Sequence, residues 1–542
     1  MGWCVKTKLV SGLRLKGKAI SNQRGLVSRL ALLSIAILLF CVAALLLSLN
    51  GCGGSGTTTT ITSVGKIQHV VIIFQENRTP DNLFQGLYGL TGSNGVPYDI
   101  QNYYVNSSGT QVPLMPVGLA TNFDLSHAHT AFVSEYTSPT TPLVPACGGT
   151  TKAEIFGCAA STWNQFMYVD NAQPLKYNNL YGKGTSHILD PYIAMATRWG
   201  WANYMYQTNQ GPSYPAHQFM FSGTSAPTAN DDAMGTFVSE NFTPSGSYAG
   251  CLAKTTAMND LINSSGVETP YGGALGDFCY PHESMATVLD APPVPVVAPV
   301  TWKYYAPSAG SIWDAPSSFA AICNPNAGYT ECMGGPDWSN VIFPFTGSYG
   351  AVPFFNDLQN CNLSQVSWVI PDGRWSDHAS SNKGLGPSYV AAIVNGIAGF
   401  DDNTCGYWNN TAIVLAWDDW GGWYDHEAPW LLKAPWSNYN YGFRVPLIVM
   451  SAYTTPGLVS TVQPEDFGSV LNMVQGIFFG TAHEQLLGFA DKRSTADLHE
   501  FFTETTAQPF GNYIPSVEDI TYFTGLAKPE DGGDAAVPPD ND

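Results

Sequence analysis

Two adjacent carboxylates follow an apolar run of the kind that forms a buried strand. The stretch reads TAIVLAWDDWGGWYDHEAP, and Asp418 and Asp419 come directly after its β-branched and apolar segment. Neighbouring carboxylates repel each other, and burying them is costly unless a cation neutralises them. No Lys or Arg lies within the stretch. A divalent metal ion is therefore the simplest compensation, whereas a solvated acidic turn is the ordinary alternative for an Asp-Asp pair.

Four further segments place polar side chains in apolar or Gly/Pro surroundings. They read QENRTPD (75–81), DLSHAH (124–129), GPSYPAHQF (211–219) and PDGRWSDH (371–378). Glu76, Asp418 and Asp419 would supply three hard oxygen ligands, which suit Mg, Ca, Mn, Fe or Zn. Ser213 precedes an apolar run, as expected at a helix start, where backbone N–H groups stabilise a phosphate. For Ser213, and for Glu76-Asn77, an ordinary helix N-cap is the alternative.

Histidines in these segments could bind phosphoryl oxygens or protonate a leaving alkoxide, because an imidazole titrates near neutrality. His127 and His378 are candidates for this chemistry, and a satisfied structural histidine is the alternative for each. We expect Asp425-His426 to orient the loop that carries Asp419.

The elements that must position these residues alternate between strand and helix. Strands are predicted at residues 66–74, 366–370, 412–417 and 445–450, and helices at 388–398 and 468–478. Pro446 places the last strand near an edge of the sheet. The alternation predicts an α/β fold whose mostly parallel central sheet is covered on both faces, with ligands at the carboxyl ends of the strands.

The first 52 residues differ from the rest of the chain. They hold seven Lys/Arg residues, no Asp or Glu, and an apolar run from residue 30 to residue 49 that is long enough to span a bilayer. The ending LNGC at residues 49–52 resembles a bacterial lipobox. The segment is predicted to be a lipoprotein signal, an uncleaved membrane anchor or a cleaved export signal. Each version makes the body extracytoplasmic, as a membrane-anchored lipoprotein or a secreted or periplasmic protein.

Composition divides the remainder of the chain. Residues 53–65 form a flexible Gly/Ser/Thr linker, residues 66–524 the main domain, and residues 525–542 a disordered tail. Residues 225–360 are rich in Gly, Pro, Asn, Ser and Cys. We expect them to be loops and insertions over the active-site edge of the sheet, and not a separate domain.

Charge narrows the class of partner. Without the basic leader, 15 Lys/Arg residues stand against 42 Asp/Glu, a net charge of −27. This charge argues against nucleic acid as a partner and against broad adsorption to anionic membranes. A small phosphorylated substrate remains admissible because a bound metal inverts the local potential.

Eight cysteines follow Cys52, and an even number in an exported chain suggests disulfide bonds. Pairing in sequential order (147–158, 251–279, 323–332 and 361–405) would close short loops. The sequence leaves other pairings open.

At four places the sequence resembles the bacterial phosphoesterase family that includes phospholipases C and acid phosphatases. The motifs HVVIIFQENRTPDNLFQG, GPSYPAHQFMFSGTS, VSWVIPDGRWSDH and TAIVLAWDDWGGWYDHEAP stand in the family's order, and the resemblance covers residues 66–480. It implies an alkaline-phosphatase-like, three-layer α/β/α fold, one divalent metal ion and a covalent phospho-enzyme.

The resemblance also implies roles for individual residues. The matching metal-binding positions are Glu76, Asn77, Asp418 and Asp419; the catalytic positions are Ser213 as nucleophile with His127, His282 and His378; and the substrate-binding positions are Asn77, Arg78, His127 and His378. His217 stands where many relatives have Asn, so the contacts behind the nucleophile are expected to differ.

The function implied is metal-dependent hydrolysis of phosphate esters through a phosphoserine, either of phosphodiesters such as phospholipid head groups or of phosphomonoesters. Membrane contact would come through the N-terminal lipid or apolar anchor, and no protein partner is implied. The alternative is a catalytically silent, surface-anchored protein that binds a ligand or carbohydrate on the same fold. Sulfatase-like hydrolysis is disfavoured because no Cys-x-Pro-x-Arg or Ser-x-Pro-x-Arg motif occurs.

Overall fold

The computed structural model describes residues 64–106, 108–135, 165–179, 182–242, 248–254, 257–270, 278–293, 298–343, 353–400, 404–430 and 441–525. The chain divides into two units, Met1–Thr60 and Ile61–Asp542. The first unit, which contains the predicted leader, lies outside the described residues, as do the linker up to residue 63 and residues 526–542. Within the described part of the chain, no helix is both long enough and apolar enough to cross a membrane.

The described strands form one large sheet and several small ones. In chain order they are β1 His69–Gln75, β2 Tyr103–Val105, β3 Gln111–Pro113, β4 Met115–Val117, β5 Met167–Val169, β6 Pro174–Asn179, β7 Gly182–His187, β8 Gly200–Ala202, β9 Phe237–Phe242, β10 Met258–Ile262, β11 Glu268–Thr269, β12 Trp302–Tyr305, β13 Val341–Ile342, β14 Val366–Val369, β15 Thr411–Trp417, β16 Leu447–Ser451 and β17 Val459–Ser460.

The described α-helices vary from single turns to more than three turns. They are α1 Pro80–Leu83, α2 His129–Glu135, α3 Asp190–Arg198, α4 Ser213–Ser222, α5 Ala229–Met234, α6 Met285–Asp290, α7 Pro353–Gln359, α8 Gly386–Ile397, α9 Phe467–Phe479, α10 Ala490–Arg493 and α11 Ile520–Gly525. The two helices predicted from the sequence correspond to α8 and α9.

The large sheet has eight strands in the order β13-β12-β14-β1-β15-β16-β8-β17. Strand β16 runs antiparallel to both of its neighbours, and the other pairs are parallel. Every residue of β14, β15 and β16 is buried, as the continuous apolar runs in the sequence predict for a sheet covered on both faces. The predicted α/β fold with a mostly parallel sheet is confirmed.

Consecutive residues of β12 show that helices cover opposite faces of this sheet. Tyr304 packs against Phe221 of α4, with 5.5 Å between ring centroids, and Tyr305 packs against Phe354 of α7 at 5.3 Å. Successive side chains of a strand point to opposite faces. Helices α4 and α7 therefore lie on different sides of the sheet, which gives the predicted three layers.

Two expectations about the sheet are wrong. The strand predicted near an edge is β16, which lies between β15 and β8. Pro446 stands just before this strand, so it removes no hydrogen bond from the ladder. Residues 225–360 are not only loops, because β12 and β13 lie within them and extend the sheet beyond β14. These strands have only four and two residues, too short for a periodic sequence signal.

Three of the four sequential cysteine pairs form disulfide bonds, Cys251–Cys279, Cys323–Cys332 and Cys361–Cys405. The predicted pair of Cys147 and Cys158 lies outside the described residues. Three disulfides indicate a protein that folds in an oxidising compartment, in agreement with the predicted extracytoplasmic location.

Candidate active site

The parallel strands β1 and β15 bring the acidic residues of two distant motifs together. Their register pairs Gln75 with Trp417, so the chain emerges from both strands at the same level. Asp418 N donates to Gln75 O at 3.0 Å, and Asn77 N donates to Asp418 Oδ1 at 2.9 Å. Glu76, Asn77, Asp418 and Asp419 are all fully buried. The four predicted metal ligands are therefore neighbours at the carboxyl edge of the sheet.

Helix α4 adds the predicted nucleophile to this group. Ser213 is its first residue, where the positive end of the helix dipole favours an anion. The Ser213 hydroxyl lies 3.1 Å from Glu76 Oε2 and 3.4 Å from Asp419 Oδ2. A serine oxygen and carboxylates from two strand ends thus converge at one point.

His217 lies one helical turn after Ser213 and contacts the same carboxylate. Its Nε2 is 2.9 Å from Glu76 Oε1, so one carboxylate faces His217 with one oxygen and Ser213 with the other. Burial lowers the pKa of His217 to about 4, so a neutral ring contacts Glu76 through Nε2. His217 therefore fixes the orientation of Glu76. The sequence signal was the spacing of four residues from Ser213, which places both side chains on one helix face.

A tight backbone approach closes the site. Asn77 has a φ of 59°, in the left-handed region. Gly421 also has a positive φ, and a Cβ there would lie 2.6 Å from Asn77 O. Only glycine permits this approach, which explains the glycine at position 421, two residues after Asp419.

The electrostatics of the site call for a cation. Burial, and then the charges of Asp418 and Asp419, raise the pKa of Glu76 well above its ordinary value. Asp418 Oδ2 and Asn77 Oδ1 are buried and accept no hydrogen bond from any described residue. A buried carboxylate oxygen without a donor is costly. These atoms and the hard oxygen donor set fit a divalent metal ion.

Two predicted histidines lie beside this group. His127 Nε2 contacts the Asn77 side-chain amide at 2.9 Å, and the His127 and His378 rings are 5.8 Å apart. His378 Nδ1 lies 2.6 Å from Ala379 O and 3.5 Å from Asp124 Oδ2. Both rings are buried. The structure thus brings His127 and His378 together at the same edge of the sheet.

His282 is not brought to this group. Its ring nitrogens contact the carbonyl oxygens of Glu283 and Ala226 at 2.9 and 3.0 Å. Ala226 follows the C-terminal end of α4, whereas Ser213 is at the N-terminal end, about 13 Å away along the helix axis. The expectation that His282 lines the active site is therefore not met by its position, since its ring lies against backbone carbonyls away from Ser213.

Arg78 also has a different role from the one expected. Its guanidinium donates to Asp377 O at 2.9 and 2.7 Å, to Leu119 O at 3.0 Å and to Asn82 Oδ1 at 3.1 Å. The side chain is fully buried and lies over the Trp423 ring. Arg78 therefore joins the loops around the site and does not face a substrate.

Arg78→Met is expected to destabilise the fold by about 3 kcal/mol, because the charged hydrogen bonds to Asp377 O, Leu119 O and Asn82 Oδ1 are lost at once. Chemical unfolding measures this change. Lys383→Met is the control, since it removes an exposed cation from the neighbouring loop and should cost no more than about 0.5 kcal/mol. If Arg78→Met left the free energy of unfolding unchanged and raised only the KM, Arg78 would be a substrate-binding residue as first expected.

A buried ionic network holds the loops that follow the two strands. Arg444 binds Asp425 through Nε at 2.8 Å and Nη2 at 3.1 Å, and Nη1 reaches Asp99 Oδ2 at 3.2 Å. His426 Nδ1 lies 2.8 Å from Asp81 Oδ2, and its Nε2 lies 3.3 Å from Asp99 Oδ1. Asp81 follows β1 and Asp425 follows β15, so this network supports the predicted orienting role of Asp425-His426.

The network predicts a pH dependence of stability. Burial by itself would lower the pKa of His426, but Asp81 and Asp99 outweigh it and raise this pKa to about 10. The stabilisation from the protonated ring should therefore be complete below about pH 6.5 and should fall as pH rises toward 10. The difference in unfolding free energy between wild type and His426→Gln should shrink over this range. A difference that is constant from pH 6 to 10 contradicts the charged state of His426.

The chain belongs to the Phosphoesterase family, whose model matches residues 67–479. It is 22% identical over 443 residues to the non-hemolytic phospholipase C of Pseudomonas aeruginosa, covering 76% of this chain and 54% of that protein. It is 22% identical over 452 residues to the hemolytic phospholipase C of the same species, and this alignment covers 78% of this chain and 54% of that protein. The chain thus matches about half the length of these relatives.

One solved structure with a partial likeness is a protein in the alkaline phosphatase superfamily from Vibrio parahaemolyticus. The alignment covers 57% of this chain and 65% of that chain, with 11% sequence identity and a TM-score of 0.23. This likeness is too small to indicate a shared fold, whereas the strand order itself shows the α/β architecture.

Proposed function

We propose that this protein hydrolyses phosphate esters, with Ser213 as the nucleophile that forms a phosphoserine intermediate. The observation that carries this proposal is the position of the Ser213 hydroxyl, within 3.1 Å of Glu76 and 3.4 Å of Asp419. A serine at a helix start beside buried carboxylates has an acceptor for its proton and a backbone that favours an anion. Membership of the Phosphoesterase family supports the same chemistry.

In the first step, Ser213 Oγ attacks the phosphorus in line with the leaving oxygen, and its proton passes to a carboxylate of the group. The bond between phosphorus and the leaving oxygen breaks, and the alcohol departs after it receives a proton. In the second step, water attacks the phosphoserine, inorganic phosphate or a phosphomonoester leaves, and Ser213 recovers its proton. A divalent ion held by Glu76, Asn77, Asp418 and Asp419 would stabilise the negative charge that develops.

The two histidines have different parts in this scheme. His127 Nδ1 donates to Leu125 O at 2.7 Å, so its Nε2 accepts a hydrogen bond from the Asn77 side-chain NH₂ group. The Asn77 Oδ1 atom points away from His127. His127 thus positions Asn77. His378 Nδ1 donates to Ala379 O, which makes Nε2 the basic nitrogen of that ring. Protonated at Nε2, His378 would donate to the leaving oxygen.

The substrate class is a phosphate ester with a small or amphiphilic alcohol. The net charge of the body opposes nucleic acid, while a cation among the buried carboxylates would attract a phosphate locally. The similarity to phospholipases C favours a phosphodiester with a polar head group. The predicted export segment would deliver the protein to a compartment where such lipids are accessible.

Hydrolysis of p-nitrophenyl phosphate and of p-nitrophenylphosphorylcholine, each with Ca²⁺, Mg²⁺, Mn²⁺, Fe²⁺ or Zn²⁺, tests the proposal. We expect turnover of at least one ester, abolished by a chelator and restored by one of these ions. The ratio of the two activities assigns the preference for diester or monoester. No hydrolysis with any ion would favour the catalytically silent ligand-binding protein.

A further inference from the structure

A second group of metal-ligating side chains lies near the C-terminal end of helix α9. One ligand atom each from Glu484, Asp497 and His499 lies within 4.8 Å of the others. The start of α9 is close to the candidate active site, since Phe467 packs against Phe74 of β1 at 5.2 Å. Gly476, which borders the second group, is nine residues further on, or about 13 Å along the helix. The two groups are therefore distinct.

The histidine of this group is buried without a well-aligned hydrogen bond. His499 is only 4% exposed; its Nδ1 faces Asp497 Oδ2 at 3.2 Å without the alignment of a hydrogen bond, and its Nε2 has no hydrogen-bond partner within the described ranges. Glu484 Oε1 is buried in the same way. A buried imidazole and a carboxylate oxygen are costly unless something satisfies them. Two neighbouring buried side chains whose polar atoms lack aligned hydrogen bonds indicate that a ligand binds between them.

The spacing of the atoms matches a small coordination sphere. His499 Nδ1 lies 3.2 Å from Asp497 Oδ2 and 3.7 Å from Glu484 Oε1. Ligand atoms about 2.1 Å from a tetrahedral zinc ion are about 3.4 Å from one another. The two separations from His499 are therefore close to those within one coordination sphere, and all three atoms lie within 4.8 Å of one another.

Helix α9 leaves room for the group at Gly476. A Cβ at this position would lie 2.5 Å from Glu484 Oε1 and 2.6 Å from His499 Cε1. Any larger residue would displace the ligands, so the glycine lets the segment of residues 480–500 close onto the helix.

We propose that Glu484, Asp497 and His499 form a second divalent-cation site, which binds a transition-metal ion such as Zn²⁺ and fixes residues 480–500 against α9. One imidazole and two carboxylates suit Zn²⁺ better than Ca²⁺ or Mg²⁺, which prefer oxygen ligands alone. Asp497 is partly exposed, so water can complete the coordination. The site does not depend on the proposed function.

The simpler alternative is an ion pair. Burial by itself would lower the pKa of His499, but Asp497 and Glu484 outweigh it and raise the pKa, which favours the protonated ring. A protonated ring would donate to its carboxylates. The Nδ1 contact with Asp497 Oδ2, at 3.2 Å, is not aligned as a hydrogen bond, and this favours a cation bound at Nδ1 instead.

Metal content separates the two interpretations. The full chain is stripped with a chelator, reloaded with Zn²⁺ and dialysed, and zinc per chain is measured by mass spectrometry for wild type, His499→Gln and His483→Gln. We expect His499→Gln to hold one zinc fewer than wild type and to lose the rise in Tm that this zinc produces. His483→Gln is the matched control, since His483 is a partly exposed neighbour outside the group, and its zinc content should not change.

Equal zinc content in wild type and His499→Gln would overturn the proposal. If His499→Gln does not fold, the milder Glu484→Gln decides, because Glu484 is nearer the surface. This variant should also hold one zinc fewer. Cobalt(II) gives a second readout: its visible absorption in the Asp418→Asn background should show nitrogen ligation, and the addition of His499→Gln should remove this signal. A signal that survives also contradicts the site.

Discussion

Ser213→Ala is expected to lower the rate of phosphate ester hydrolysis by about 10⁴-fold or more. The Ser213 hydroxyl is the nucleophile that the proposal places beside Glu76 and Asp419, and alanine offers no oxygen to attack phosphorus. The loss should appear in kcat, because the groups that bind the phosphate remain. Metal content and Tm should stay near the wild-type values, since the variant removes a single hydroxyl and leaves the carboxylates in place. Both chromogenic esters serve as substrates.

Ser222→Ala is the matched control for this variant. Ser222 is buried at the other end of the same helix, and its hydroxyl donates to Gln218 O and Thr224 O at 2.9 and 2.8 Å. It should retain nearly full activity at a small cost in stability. Rapid denaturation during turnover should trap phosphate on Ser213 in wild type and in Ser222→Ala, and trap none in Ser213→Ala. If Ser213→Ala kept near wild-type turnover, hydrolysis would proceed by direct attack of water and the covalent route would be wrong.

Asp418→Asn should abolish binding of the divalent ion at the candidate active site and reduce turnover by about 10³-fold or more. Asp418 Oδ2 is a buried oxygen without a hydrogen-bond donor among the described residues, and Asp418 adjoins Glu76. The variant removes one negative charge, so the affinity for a cation falls. The same change relieves repulsion in the metal-free protein. The Tm without metal should therefore rise or stay level, while the rise in Tm on addition of metal to this site is lost.

Asp372→Asn provides the comparison for Asp418→Asn. Asp372 is also buried, but Arg374 already pairs with it at 2.7 Å. Its loss should cost stability and leave the metal dependence of hydrolysis unchanged. Equal metal affinity for wild type and Asp418→Asn, measured by calorimetry, would remove Asp418 from the ligand set.

Much of the fold could be predicted from local patterns. Strands β1, β14, β15 and β16 lie within three residues of the predicted bounds, because apolar runs bounded by polar residues mark buried strands. The candidate metal ligands could be found because each follows such a strand, and carboxyl ends of parallel neighbours share one edge. The edge strands β12 and β13 could not be found in this way, since their short length carries no period.

The sequence predicted most of the residues of the candidate site, but it predicted their roles less well. Arg78 and His282 resembled substrate and catalytic residues, yet backbone carbonyls engage their side chains. His217 was expected only to alter the contacts behind the nucleophile, and it holds Glu76 directly. Residue type indicates what a side chain is able to do, whereas its neighbours determine which of these roles it has.

The sequence alone determined the fold class, the family and the residues that could bind a metal and a phosphate, because these follow from composition, periodicity and the order of motifs. Tertiary structure alone decided which atoms meet. Ser213 reaches Glu76 across 137 positions of the chain, and Asn77 reaches Asp418 across 341. Such contacts depend on strand order and helix packing. These arise from the packing of the whole core, and no local sequence pattern indicates them.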